Sequence, residues 1–96
     1  MEIIYKEKGS GKTEELVKLS HQHNYYMVVS SKDEANRVQN EAKRKGYNIP
    51  LPIAYYEFIS GRYNGKGVEK LLIDNVDQLI TYLANCPVEA ITLTKV

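Results

Sequence analysis

Tyr25-Tyr26-Met27-Val28-Val29 offers water no polar face: its residues are aromatic or apolar in unbroken succession, where a half-exposed strand would alternate. Such a run fits a strand covered on both sides by other elements. Lys70-Leu71-Leu72-Ile73-Asp74 repeats the pattern and ends in an acid. Both runs are followed by helical signals. Ser31-Lys32-Asp33-Glu34 has the form of a capping box, and the helix it opens carries Ala35, Val38 and Ala42 inward. Lys43-Arg44-Lys45 falls in the last turn, where cations suit the helix dipole, and Gly46 stops it. After Asp74, Val76, Leu79, Ile80 and Leu83 recur at i, i+3, i+4 and i+7, one face of a helix that Cys86-Pro87 ends.

The same alternation frames the rest of the chain. Ile3-Ile4-Tyr5 is a short β-prone run, a Gly-rich turn follows, and Thr13 to Leu19 has helical spacing. Pro50 and Pro52 suit neither a helix interior nor a central strand, so residues 46–54 read as a connection. Tyr55-Tyr56-Glu57-Phe58-Ile59 favours a short helix, residues 61–67 a polar turn, and Ala90-Ile91-Thr92-Leu93-Thr94 a last strand. Strands alternating with helices imply an α/β fold with a parallel sheet and right-handed crossovers. Ninety-six residues hold one such domain, spanning 1–96.

Composition narrows the partners. Thirteen basic against twelve acidic residues leave a net charge of +1, so no global field draws the chain to nucleic acid or anionic lipid. A mean hydropathy of −0.44 and the absence of an 18-residue apolar run argue against membrane insertion. Cys86 is the sole cysteine, and Met1 to Lys6 has no signal-peptide core, so a cytoplasmic location is expected.

Gly9-Ser10-Gly11-Lys12-Thr13 lies between the first expected strand and helix. Glycines let backbone amides curl round phosphate oxygens, Lys12 supplies a cation to them, and the Thr13 hydroxyl opens a helix whose dipole favours an anion and can face Mg²⁺. Asp74, at the end of an apolar strand, supplies a carboxylate for the opposite side of that metal. Other residues point less sharply. His21 and His23 suit the end of the first helix without any metal, and sheet packing accounts for most of the tyrosines, while one could stack on an adenine or a nucleobase. Arg62-Tyr63-Asn64-Gly65-Lys66 mixes cations with an aromatic ring, as either a solvated turn or a local nucleic-acid contact would.

Lys6 to Thr13 resembles a Walker A motif, Leu71-Leu72-Ile73-Asp74-Asn75-Val76-Asp77 resembles a Walker B motif, and Ile91 to Thr94 stands where a sensor-bearing strand would follow. Nearly the whole chain thus looks like a P-loop NTPase of the branch with an additional strand between the Walker strands, the branch of helicases, recombinases and AAA proteins. Its small size is similar in style to reduced versions carried by phages and mobile elements. The resemblance implies a minimal three-layer sandwich of about four parallel strands in the order first, fourth, third, second. It also implies ATP or GTP with Mg²⁺ as ligands: Gly9, Ser10, Gly11, Lys12 and Thr13 hold phosphate, while Thr13 and Asp74 face the metal. Two departures stand out. Lys6 replaces the glycine that usually opens the loop, and Asn75 replaces the glutamate that polarises the attacking water, an office an amide cannot perform. Among candidate catalytic residues Asp74, Asn75 and Asp77, only Asp77 is left to substitute as base unless a partner supplies one. Three functions follow as expectations: a nucleotide-binding accessory protein with weak or absent hydrolysis, an ATPase completed by a homo-oligomer or protein partner, or a degenerate module binding protein or nucleic acid.

Overall fold

A computed structural model describes residues 1–7, 9–61, 63 and 67–94. Helix α1 (Lys12–His23), strand β1 (Tyr26–Val29), helix α2 (Lys32–Arg44), strand β2 (Ile53–Ala54), helix α3 (Tyr55–Ser60), strand β3 (Leu71–Ile73) and helix α4 (Val76–Ala84) follow in that order. The three strands form one parallel sheet, β2-β1-β3. The doubly apolar run therefore occupies the centre, pairing Val28 and Val29 with Ile53 and Ala54 on one side, and Tyr26, Met27 and Val28 with Leu71, Leu72 and Ile73 on the other.

Successive β1 side chains point to opposite faces, and each face has its own core. Met27 and Val29 pack with Leu16 and Val17 of α1 and with Ala35, Val38 and Ala42 of α2. Val28 packs with Ile53, with Tyr55 of α3 and with Leu79 of α4. A continuous apolar run needs this arrangement, because either face left open would strand Met27 or Val28 in water.

Local signals set most boundaries. The Ser31 hydroxyl accepts the Glu34 amide at 3.1 Å, as a cap should. The reciprocal half of the expected box is replaced, since the Glu34 carboxylate instead takes Arg37 one turn on, at 2.7 Å to both Nε and Nη2. At the other end Gly46 adopts φ +85°, letting the Tyr47 amide return to the Ala42 carbonyl at 2.8 Å.

Three expectations change. Residues 46–54 are not wholly a connection, because Ile53–Ala54 forms β2. Pro52 is compatible with this strand because β2 is at the sheet edge, where a missing N–H need not break a central ladder. Next, the sheet has three strands among the described residues rather than four: Ile3 to Tyr5 and Ala90 to Thr94 form no strand, and Ile91 and Leu93 are 51% and 60% exposed. The adjacency of the Tyr26 and Leu71 strands is present, and β3 is left as an edge. The third change follows from it. Of the apolar face expected on α4, Leu79 is 4% exposed but Leu83 is 57% exposed, since among the described residues there is no further strand beyond β3 to cover.

Met27→Ala should cost about 2–5 kcal/mol in urea unfolding, because a buried central residue leaves a cavity. Leu83→Ala should stay within about 0.5 kcal/mol. Equal losses at the two positions would contradict the placement of the core.

Candidate functional site

The loop from Glu7 to Gly11 turns by means of two left-handed glycines, Gly9 at φ +81° and Gly11 at φ +85°. A Cβ at either would meet nothing within 4 Å, so the requirement is conformational rather than spatial. Within the turn, both the amide and the hydroxyl of Ser10 donate to the Glu7 carbonyl. Gly11 is the N-cap of α1 and contributes no side chain, leaving the first amides of a twelve-residue helix without a side-chain acceptor. Lys12 makes no ion pair among the described residues, in contrast to Lys6, which reaches Glu15 at 3.0 Å. The departure at position 6 therefore ends in an exposed ion pair beside the loop.

Thr13 is where the two motifs meet. Its Oγ1 donates to Asp74 Oδ2 at 2.9 Å across a sequence separation of 61. The sheet makes this possible: the Asp74 amide donates to the Val28 carbonyl at 3.0 Å, extending the β1–β3 ladder by one residue and fixing the acid at the strands' carboxyl end. Asp74 is 5% exposed, so its carboxylate requires a partner, and Thr13 supplies one. A hydroxyl and a carboxylate oxygen converge there, donors of the hard type that Mg²⁺ takes, and their chemistry fits that ion.

The turn after Asp74 is held from the opposite face. The Tyr55 hydroxyl, in a residue 3% exposed, reaches the carbonyls of Asp74 and Asn75, both at 3.1 Å. Burial first, and then the charges of Asp74 and Asp77, push the Tyr55 phenol up to about 12. The sequence offers this tyrosine for sheet packing or for stacking on a base, and carries no signal for these carbonyl contacts. Asn75 caps α4 from φ +55°, ψ 60°, and its carbonyl receives the amides of Gln78 and Leu79. A left-handed cap favours asparagine over glutamate on backbone grounds alone. Asp77 is exposed in the first turn of α4, where its carbonyl accepts the Thr81 hydroxyl.

Beside Thr13 a cleft of about 230 Å³ opens between α1 and α2, with Val17, Val38, Arg37 and Glu41 in its walls. Small-molecule sites usually span about 300–1,000 Å³, so this cleft is below the usual size. Arg37 also escaped the sequence reading, since a cation in mid-helix carries no motif. The remaining candidates separate from the site. His21 Nδ1 accepts the Asn48 amide at 2.9 Å and its ring meets Tyr47 edge-on, while His23 stacks on Tyr25. Of the loop Arg62 to Lys66, only Tyr63 lies within the described residues, stacked on Phe58 with centroids 5.6 Å apart. Lys8 also lies outside them.

Asn75→Gly should leave the melting temperature level or raised, whereas Asn75→Glu should cost about 1–2 kcal/mol through the left-handed backbone. Thermal unfolding of both variants checks this, and a more stable Glu variant would contradict the cap assignment. A second prediction concerns acid. Hydrogen bonds from Arg37 hold the Glu34 carboxyl below its ordinary 4.5, with burial opposing and charge attraction adding. A depressed folded value means that this stabilisation is complete above the unfolded carboxylate range and is lost as pH falls through the folded one. Glu34→Gln should therefore shallow the decline in melting temperature below about pH 4.5, and an unchanged slope would contradict the pairing.

Comparison with protein-family models, curated proteins and solved structures finds no match.

Proposed function

We propose that this chain binds the phosphates of a nucleoside triphosphate, ATP or GTP, together with Mg²⁺. The supporting observation is the Thr13–Asp74 hydrogen bond of 2.9 Å, which joins the end of the Gly-rich loop to the end of an apolar strand. A Gly-rich turn and an unrelated strand-end acid have no sequence-local reason to meet. Around that contact stand the ingredients for polyphosphate: amides at the start of α1 that the N-cap Gly11 leaves without a side-chain cap, the cation of Lys12, which makes no ion pair among the described residues, and the backbone amides of Gly9 and Gly11. In this reading Thr13 and Asp74 would be the residues that hold Mg²⁺, which when bound would supply positive charge to offset the phosphates. A reduced P-loop NTPase sandwich, built on the three-stranded parallel sheet of the described residues, is the architecture we propose for the chain.

The geometry favours binding without brisk turnover. Asn75 serves as a left-handed cap, and the exposed Asp77 is committed only through its backbone, so neither is shaped as a buried base. Hydrolysis would then require a group from another copy or a protein partner. A role in phage or mobile-element DNA metabolism, with nucleic acid as partner, rests on the resemblance.

Titration with Mg²⁺-ATP, Mg²⁺-GTP and magnesium-free ATP should raise the melting temperature of the native chain with the logarithm of ligand concentration, most strongly with metal present. Lys12→Ala should remove most of that shift while leaving the apo melting temperature unchanged, because Lys12 belongs to no core cluster. No shift with any nucleotide, or an undiminished shift in Lys12→Ala, would falsify the phosphate-cradle reading.

A further inference from the structure

The buried phenol of Tyr55 has no part in the phosphate cradle, yet its hydroxyl faces the two carbonyls that flank the candidate metal side. We propose that Tyr55 is a positioning residue for Asp74: by tying the β3–α4 turn to the start of α3, it aims the carboxylate at Thr13 and sets the strength of Mg²⁺-dependent nucleotide binding. The inference rests on the nucleotide-binding reading and adds to it the residue that controls its metal side.

Three observations support it. Asp74 is fixed at its amide by the Val28 carbonyl, 3.0 Å away, but the β-ladder ends there. Past that point the chain turns left-handed at Asn75, and the Asp74 and Asn75 carbonyls are the groups that define the turn's orientation. Tyr55 reaches both, at 3.1 Å each. The anchor itself is rigid: Tyr55 follows β2 directly, packs with Val28, Ile53 and Leu79, and meets Tyr82 of α4 with ring centroids 5.8 Å apart. One hydroxyl proton shared between two carbonyls restrains the turn against rotation in a way that apolar packing of the same ring does not.

Tyr55→Phe retains the ring and removes the restraint. Dissociation constants for ATP measured with Mg²⁺ and with a chelator give, for each protein, the factor by which the metal tightens binding. In Tyr55→Phe that factor should fall roughly 3- to 10-fold, the size of one net hydrogen bond, with metal-free binding unchanged. Combined with Asp74→Asn, the substitution should add no further loss, because Tyr55 acts through that carboxylate. An intact metal factor in Tyr55→Phe overturns the proposal, as does an equal loss with and without Mg²⁺, or full additivity with Asp74→Asn. If Tyr55→Phe unfolds in buffer, the same measurements in trimethylamine N-oxide restore the fold but not the missing hydroxyl, and the same outcomes decide. Wild-type protein that binds no ATP under either condition overturns the nucleotide reading itself, a result distinct from a wild type that binds while Tyr55→Phe keeps its metal factor.

Discussion

Burying the Asp74 carboxylate is the constraint on which this structure turns. A charged group at 5% exposure is costly unless its oxygens are met, and the protein meets one with the Thr13 hydroxyl at 2.9 Å. That single contact brings the first turn of α1 to the end of β3 and sets α1 over the face formed by Met27 and Val29. The backbone cooperates: the Asp74 amide continues the ladder to Val28, and Tyr55 holds the carbonyls beyond it from the other face. Elements from both layers therefore meet at one acid.

Away from that point the domain is thinly covered. The outer edge of β3 lacks a paired strand among the described residues, α4 commits Leu79 alone to the core, and Ile91 and Leu93 stand in solvent. Stability is consequently concentrated around β1, whose two neighbours and two faces are all occupied. A small domain buries a modest fraction of its surface, so this concentration matters more here than in a larger one. It also accounts for the three short strands, since β2 and β3 need be only long enough to flank β1.

What was legible in the sequence follows from the range of the signals. Tyr26 to Val29 is legible as a covered strand and Leu71 to Ile73 as a strand, though a half-buried one at the sheet edge, because their patterns are local and unbroken, and Ser31 and Gly46 mark the ends of α2 through cap chemistry. The meeting of Thr13 and Asp74 was legible as an expectation because both sit at element ends whose direction a parallel sheet dictates. The two-residue strand Ile53–Ala54 is too short for any periodicity to register. Ile3 to Tyr5 and Ala90 to Thr94 misled for the opposite reason: β-branched composition reports fitness for a strand, whereas pairing depends on a neighbour's edge. The tie from Tyr55 to the turn after β3 is not legible in the sequence, since its partners are carbonyls nineteen and twenty positions away.

Asn75 shows how a motif position can carry two incompatible demands. In the resemblance to a Walker B pattern it is a missing glutamate; by its φ of +55° it is the residue that lets the half-buried edge strand β3 turn at once into α4. A glutamate there would need either the same left-handed backbone, at a steric cost, or a longer turn that moves the carbonyls away from Tyr55. Both alternatives disturb Asp74, the neighbour on which the candidate site depends. In so short a connection, the backbone geometry that presents the metal-side acid also works against a general base beside it. Under the proposed reading, binding without turnover would be the physical consequence of compressing this site into a single tight turn.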